Sequence, residues 1–194
     1  MVKKVLILFG SPRENSNTKA LLQPFEQRLR ALGCETEIIR AYDMKVRPCT
    51  ACLNCQADLD RPACVYDDDM GEIYQKFLQS DLIVLATPVY SWNCPAPLKA
   101  ILDRCVNAFC KYCGEAMGPS LAAGKKLALV TTCGYPTENG ADLWEECCRR
   151  YCKHLRMSFL GQLAERQKSY SEPFLDAEKE ARAASFADEV FGKL

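Results

Sequence analysis

Hydrophobic residues recur along the chain in two alternating patterns. Short runs rich in Val, Ile and Leu, such as Lys3 to Phe9, have the composition of buried β-strands. Longer segments with apolar residues three or four positions apart, such as Thr18 to Leu32, have the spacing of helices that bury one face. This pattern predicts strands at residues 3–9, 35–41, 81–87, 125–132 and 157–164, and helices at 18–32, 70–79, 95–109, 141–155 and 173–191.

The alternation of strands and helices predicts a parallel sheet. Helical connections join parallel strands through right-handed crossovers, which leaves few topologies open. The sequence therefore predicts an α/β fold with a doubly wound, five-stranded parallel sheet in the order 2-1-3-4-5, whose ligands bind at the carboxyl ends of the strands. We expect one domain over residues 1–194, with a cysteine-bearing insertion loop at 45–68.

Composition narrows the class of protein. The 194 residues are 48% hydrophobic and 26% charged, as is typical of a folded globular chain. Lys plus Arg and Asp plus Glu each number 25, so we predict no basic face for nucleic acid or an anionic membrane. The N-terminus shows no secretory signal, and no apolar run approaches the ~20 residues of a membrane span. We therefore expect a cytoplasmic protein.

The segment after the first predicted strand carries groups that bind phosphate. Gly10 to Thr18 precedes a predicted helix, whose first N–H groups and dipole favour an anion. The segment lacks the Gly-x-Gly-x-x-Gly and Walker patterns, so a monophosphate such as that of FMN suits it better. A turn with an N-cap is the simpler alternative, although a cap needs one polar residue rather than six. The six are Ser11, Arg13, Asn15, Ser16, Asn17 and Thr18.

The loop after the third predicted strand, Thr87 to Lys99, contains two aromatic residues and three prolines. Prolines stiffen the backbone, and Tyr90 and Trp92 can pack on a flat ring. Taken alone, this loop is better interpreted as one whose aromatic residues cover the helix behind it.

Together, the two loops resemble the FMN signatures of the FMN-reductase branch of the flavodoxin-like superfamily. The similar segments are Gly-Ser-Pro-Arg with the Ser, Asn and Thr residues that follow, and Thr-Pro-Val-Tyr leading to Pro-Leu-Lys-Ala-x-x-Asp-Arg at Arg104. The resemblance covers residues 1 to 140, roughly, and implies a flavodoxin-like fold. It implies that the phosphate is held by Ser11, Arg13, Ser16, Asn17 and Thr18. It also implies that the isoalloxazine ring is lined by Pro88, Val89, Tyr90 and Trp92, with Ser91 in the same FMN-binding segment.

The loop after the fourth predicted strand completes the implied flavin site. In the family that the sequence resembles, this loop borders the flavin, which implicates Cys133, Gly134 and Tyr135. A simple turn at Gly134 is the alternative interpretation.

The resemblance implies an FMN-dependent oxidoreductase that passes electrons from NAD(P)H to a small acceptor, such as a quinone, a nitroaromatic compound or a flavin. It also implies a homodimer or a higher homo-oligomer. His154 is the single histidine of the chain, which excludes a Ser–His or Cys–His catalytic pair elsewhere. We assign no catalytic side chain, because the flavin itself carries the reaction.

Cysteine is the compositional outlier, with 13 residues. Cys49, Cys52 and Cys55 form a C-x2-C-x2-C run, and Cys64 follows after a longer gap. Three thiolates at this spacing can surround one face of a 4Fe–4S cluster, and a fourth can close it. Zinc on four thiolates and a metal-free thiol group lining the substrate pocket are the alternatives.

The same cysteine run resembles that of the iron–sulfur flavoproteins of anaerobes, which carry a 4Fe–4S cluster beside FMN in the same fold. In these proteins the fourth cysteine follows more closely. The alternative function is therefore an iron–sulfur flavoprotein that carries electrons between redox protein partners. A third interpretation is a binding domain without flavin.

Overall fold

The computed structural model describes residues 2–113, 116–169, 171 and 173–194. Its central sheet has five parallel strands in the order β2-β1-β3-β6-β7. Counted among the parallel strands alone, this order is 2-1-3-4-5, which confirms the predicted sheet. The strands are β1 (Lys4–Phe9), β2 (Glu35–Arg40), β3 (Leu82–Pro88), β6 (Lys126–Cys133) and β7 (Ser158–Arg166).

Helices cover both faces of the sheet, as the connections between parallel strands require. The predicted helices are confirmed to within a few residues at their ends. They are α1 (Asn17–Ala31), α2 (Met70–Gln79), α3 (Ala96–Phe109), α5 (Asp142–Leu155) and α6 (Ala177–Phe191), with a short α4 (Thr137–Gly140) that was not predicted. Within the described residues, no helix combines the length and apolar character needed to cross a membrane.

Two hydrophobic cores lie on opposite faces of the sheet. Beneath α2, α3 and α5, the largest buried side chains include Phe77, Phe109 and Trp144. Beneath α1 and α6, the rings of Phe25 and Phe186 lie 5.6 Å apart. The inner strands β1, β3 and β6 are buried almost throughout, which explains their continuous apolar sequence.

An antiparallel hairpin, β4 (Cys110–Cys113) with β5 (Ala116–Ser120), forms a second sheet that the sequence did not predict. The chain passes from the end of α3 directly into β4. Both strands are short, and β5 contains Gly118 and Pro119, residues that are depleted in strands. The hydrophobic pattern therefore did not predict these two strands.

The insertion between β2 and α2 is irregular, as predicted, apart from a single 3₁₀ turn at Asn54–Gln56. Its far end is fixed to its start, because the Asp69 carboxylate accepts a hydrogen bond from the N–H of Lys45 at 2.6 Å. The insertion therefore returns to the position from which it leaves the sheet.

Close packing at Gly10 yields a prediction for stability. The N–H of Gly10 donates to the carbonyl of Ala86 at 2.8 Å, and a Cβ at this position would lie 2.7 Å from Thr87 Oγ1 and 2.8 Å from Leu98 Cδ2. We expect Gly10→Ala to lower the free energy of unfolding by about 1–3 kcal/mol, since overpacking a core forces its neighbours to shift. Urea unfolding measures this change.

Gly71 in α2 is the matched control. A Cβ there would meet no atom within 4 Å. Gly71→Ala should raise the free energy of unfolding by about 0.5–1 kcal/mol, because alanine favours a helix over glycine. Equal effects of the two substitutions would contradict the packing argument.

Candidate active site and cysteine pocket

The register of the sheet aligns the ends of its inner strands. Phe9 is paired with Arg40 and Ala86, and Pro88 is paired with Thr132. The loops that follow β1, β3 and β6 therefore meet at one edge of the sheet and surround an open cavity of about 140 Å³.

Each of the three loops lines this cavity, which we call the first cavity. The loop after β1 contributes Ser11, Arg13, Ser16, Asn17 and Thr18. The loop after β3 contributes Pro88, Val89 and Tyr90, and the loop after β6 contributes Cys133 and Gly134. Most of the residues predicted to bind FMN are thus brought together. Thr132, at the end of β6, also lines the cavity, as does Gln167, which sequence reasoning missed.

The end of the first cavity beside α1 is held by hydrogen bonds between its own side chains. Ser16 caps α1, and its hydroxyl accepts from the N–H of Lys19 at 3.2 Å. The buried hydroxyls of Thr18 and Thr132 lie 2.7 Å apart, and the Asn17 amide donates to Gln167 at 2.5 Å. Since these contacts link α1 to the ends of β6 and β7, the polar groups are already in place before a ligand binds.

Arg40 fixes the outer part of the same loop. It is the last residue of β2, and its guanidinium donates to the carbonyl of Pro12 at 2.5 Å and pairs with Asp43. The sequence gave no signal for this contact, because only the position of β2 beside β1 brings Arg40 to the loop.

Asn15 does not line the first cavity. It lies in a neighbouring groove whose other residues include Gln23, Phe174 and Leu175. The sequence did not distinguish Asn15 from Asn17, since both are exchangeable polar residues of one loop.

The loop after β3 contains a strained two-residue turn. Tyr90 and Asn93 form an antiparallel bridge with hydrogen bonds of 2.8 and 3.0 Å, and Ser91 and Trp92 between them have φ values of 50° and 59°. Turns with positive φ at both central residues prefer Asn-Gly, and each larger residue in this conformation costs about 1–2 kcal/mol. Strain of this kind is concentrated at functional sites.

Trp92 is held at the tip of this turn by two contacts. Its indole N–H donates to the carbonyl of Asn139 at 2.9 Å, and its ring stacks on Tyr135 with centroids 6.0 Å apart and planes 12° from parallel. Both rings remain about half exposed, at 47% for Trp92 and 62% for Tyr135. The strained turn thus presents a flat aromatic surface to solvent.

A second cavity of about 210 Å³ adjoins the first. It shares Val89, Cys133 and Gly134 with the first cavity. Its remaining lining residues are Ser91, Trp92, Tyr135 and Gly140. The predicted ring-binding residues are therefore divided between two connected spaces. Burial raises the pKa of the Cys133 thiol, so this residue lines both spaces as a neutral group.

The predicted cysteine ligands also come together. Cys49, Cys52, Cys55 and Cys64 line one largely apolar pocket, which we call the cysteine pocket. Across the residues that the structure describes, no three Cys, His, Asp or Glu side chains are grouped as a single metal ion requires. A 4Fe–4S cluster attaches each thiolate to a different iron, so its ligands must surround a volume. Four cysteines around one pocket fit this donor set.

Backbone strain marks the cysteine pocket as well. Ala51 and Leu53, on either side of the exposed Cys52, have φ values of 53° and 61°. Strain of this kind is concentrated at functional and ligand-binding sites.

A buried ion pair closes the inner side of the cysteine pocket. The side chains of Arg104 and Asp68 are 1% and 8% exposed, and Arg104 Nη1 lies 2.5 Å from Asp68 Oδ2. Burial opposes the charge of Asp68, but hydrogen bonds from Arg104 and from the N–H groups of Arg47 and Met70 hold the pKa of its carboxyl below the ordinary value. Burial likewise opposes the charge of Arg104, but Asp68 and other neighbours raise its pKa. Both groups are therefore charged at neutral pH.

These features define a class of protein: a doubly wound α/β domain with a cavity at the carboxyl edge of its sheet, lined by a polar loop at the start of α1 and by an aromatic loop after β3. Residues 3–163 match the family described as NADPH-dependent FMN reductase. The chain belongs to this family.

Individual relatives extend the comparison. The chain is 40% identical to the iron–sulfur flavoprotein of Methanosarcina thermophila over 103 residues, which are 53% of this chain and 52% of that protein. The chain spans about half the length of the curated relatives it matches.

Two solved structures share the fold over nearly the whole chain. An NAD(P)H:quinone oxidoreductase from Methanothermobacter marburgensis superposes with a TM-score of 0.75 at 16% identity, covering 98% of this chain and 100% of that one. An FMN-dependent NADH-azoreductase from Bacillus anthracis, in complex with FMN, gives 0.72 at 18% identity and covers 99% of each chain. At these identities the likeness shows the fold alone.

The buried ion pair yields a second prediction. We expect Asp68→Asn to lower the free energy of unfolding by about 3–5 kcal/mol at neutral pH, because it leaves the Arg104 guanidinium buried without its counter-charge. In the wild type, this stabilisation is fully present above the ordinary aspartate pKa of about 4 and is lost as the pH falls through the lower pKa of folded Asp68. Urea unfolding at several pH values measures both effects.

Asp67→Asn is the control, since Asp67 is an exposed neighbour of the same type. It should change the free energy of unfolding by less than about 0.5 kcal/mol. A loss as large as that of Asp68→Asn would show that the ion pair is not responsible.

Proposed function

We propose that this chain binds FMN and passes electrons from NAD(P)H to a small acceptor. The proposal depends on one observation: the phosphate loop, the aromatic loop and the loop after β6 line a single cavity at the carboxyl edge of the sheet. Membership of the FMN reductase family supports it. The FMN-bound azoreductase of the same fold is consistent with it. When bound, the flavin supplies the redox chemistry, since it accepts hydride from a nicotinamide and returns electrons to an acceptor.

The residues at the phosphate end fit a dianionic group. Helix α1 begins at Asn17, and its first N–H groups have no acceptor within the helix. Arg13 adds a full positive charge, and the Ser11 and Thr18 hydroxyls add donors. A monophosphate at this point would be bound both by the helix dipole and by charge-assisted hydrogen bonds.

The adjoining second cavity is a suitable place for the electron acceptor. It shares three lining residues with the first cavity, so a flat molecule there would lie beside the ring end of the FMN site. Trp92 and Tyr135 offer parallel aromatic faces to such a molecule. Quinone and azo compounds are flat, and the enzymes named for reducing them share this fold. We therefore propose a flat aromatic acceptor.

The second candidate function is an iron–sulfur flavoprotein with a 4Fe–4S cluster beside FMN. The observation that favours it is the convergence of four cysteines on one pocket. The relative from Methanosarcina thermophila carries the same description. Iron and sulfide assays on anaerobically purified protein test this function. About four irons per chain would support it, and their absence after reconstitution would overturn it.

Assembly as a homo-oligomer, a redox protein partner and a cytoplasmic location stay predictions from the sequence.

The phosphate loop contains a matched pair of residues for testing FMN binding. We expect Asn17→Ala and Arg13→Ala each to raise the Kd for FMN by roughly tenfold or more, since a hydrogen bond to a charged group contributes ~1.5–3 kcal/mol. Asn15→Ala should leave the Kd nearly unchanged, because Asn15 lies outside the first cavity. Fluorescence titration of the apoprotein with FMN measures all three. Equal losses at Asn15 and Asn17, or no binding by the wild type, would contradict the assignment.

Trp92 provides the corresponding test for the acceptor. We expect Trp92→Ala to raise the KM for a quinone by roughly fivefold, since an aromatic pair contributes ~0.5–1.5 kcal/mol beyond its buried area. Trp92→Phe, which keeps a flat ring, should retain most of the affinity. Tyr112→Ala removes an exposed aromatic residue of the β4–β5 hairpin and serves as the control. Steady-state kinetics with NAD(P)H and a quinone give these values, and an unchanged KM in Trp92→Ala would exclude the second cavity as the acceptor site.

A further inference from the structure

Arg104 is an unusual residue to find beneath the cysteine pocket. It lies in the middle of α3 and is 2% exposed, although a buried guanidinium costs several kcal/mol unless it is fully partnered. Its partners all belong to the insertion loop. Nη1 contacts Asp68 and the carbonyl of Arg47, and Nη2 donates to the sulfur of Cys64 at 3.1 Å. The side chain is therefore directed at the wall of the cysteine pocket.

The Asp68 carboxylate contacts only one nitrogen of the Arg104 guanidinium. Asp68 also accepts the N–H groups of Arg47, at 3.1 Å, and Met70, at 3.2 Å, so its charge is shared among three donors. Arg104 directs one nitrogen to Asp68 and the other to Cys64. The Tyr66 ring covers the guanidinium, with the ring centroid 5.3 Å from Arg104 Cζ, and this contact fixes the plane of the guanidinium.

A second buried cation holds the insertion loop on its other side. Lys111, in β4, is fully buried, and its Nζ donates to the carbonyls of Cys55 at 2.7 Å and Arg61 at 3.1 Å. Within the described part of the chain, no carboxylate forms an ion pair with Lys111. The neighbouring Gln56 side chain donates to the carbonyls of Asn107 and Cys110. Burial lowers the pKa of Lys111 from its ordinary value, and the negative charge of Asp58 opposes that shift. The unpredicted hairpin thus anchors the cysteine loop through a buried amino group.

We propose that Arg104 is a positioning residue that sets the reduction potential of an iron–sulfur cluster in the cysteine pocket, with Lys111 as the second source of positive charge. This inference rests on the second candidate function. The cluster with its thiolates is anionic, and reduction adds one electron to it without making or breaking a bond to the protein. An N–H donor on the Cys64 sulfur and two buried cations near the ligand loop stabilise the more negative state. Both effects therefore raise the reduction potential.

The experiment compares the holoprotein with three variants in anaerobic potentiometric titrations, using dithionite as the electron donor and EPR of the reduced cluster as the signal. Arg104→Gln removes the charge, and Arg104→Lys keeps the charge but loses the planar guanidinium with its two terminal nitrogens. Arg150→Gln removes an arginine that is 79% exposed on α5 and is the matched control. Iron and sulfide contents are measured for every sample.

We expect the ratio of reduced to oxidised cluster at a fixed potential to fall about tenfold in Arg104→Gln, which equals ~59 mV for a one-electron couple. Arg104→Lys should show a smaller fall with an altered EPR signal, and Arg150→Gln should match the wild type. If Arg104→Gln does not fold because Asp68 is left unpaired, the double variant Asp68→Asn with Arg104→Gln removes both charges. It should still lower the potential, since the hydrogen bond to Cys64 is lost.

Two outcomes would overturn the inference in distinguishable ways. Unchanged potentials in the Arg104 variants, with full iron content, would overturn the role of Arg104 and leave the cluster in place. A wild-type protein that takes up no iron or sulfide on reconstitution would overturn the cluster and this inference together. It would not affect FMN binding, which the Asn17 and Arg13 variants test separately.

Discussion

The parallel pairing of the five sheet strands is the constraint on which the rest of the structure depends. Each strand enters the sheet in the same direction, so every strand ends at the same edge. The loops that follow β1, β3 and β6 are therefore neighbours in space, although they are some eighty and forty residues apart in the chain. Helix α1 begins at this edge, which adds its unpaired N–H groups to the site. The FMN assignment thus follows from the direction of the strands as much as from the residues in the loops.

The irregular features of the backbone are concentrated beside the proposed sites. Five non-glycine residues among those that the structure describes have positive φ, and four of them border the cysteine pocket or the second cavity: Ala51, Leu53, Ser91 and Trp92. Strain persists where the surrounding structure supplies compensating contacts. Trp92 has the Asn139 carbonyl and the Tyr135 ring, and the cysteine loop has its contacts to α3 and β4. The protein therefore keeps regular geometry in its core and departs from it where ligands are proposed to bind.

The insertion loop and the β4–β5 hairpin form one structural unit. Arg104, Gln56 and Lys111 link the insertion to α3 and to the hairpin, so neither segment is an isolated addition to the fold. This arrangement gives the hairpin a role that its sequence does not indicate. The two positive side chains have almost no exposure, and each donates to oxygens of the insertion loop: Arg104 to the Asp68 carboxylate, and Lys111 to two backbone carbonyls.

Several contacts at the site had no signal in the sequence. The strand order, the helix positions and most of the cavity lining followed from hydrophobic periodicity and from two recognisable loops. Arg40 and Gln167 did not, because each reaches the phosphate loop from a segment far away in the chain. The Ser91–Trp92 turn was also missed, because its residues are not those that a turn with positive φ normally contains.

The sequence by itself determined the alternation of strands and helices, the parallel sheet and the chemical types of residue at its carboxyl edge. The spacing of buried positions and the composition of loops are local properties of the sequence, so they can be interpreted without knowledge of the fold. The tertiary structure decided which of two similar asparagines faces the first cavity, that four cysteines surround one pocket, and that Arg104 points at Cys64. Such choices depend on contacts between segments far apart in the chain, and the pattern of any one segment carries no information about its distant partner.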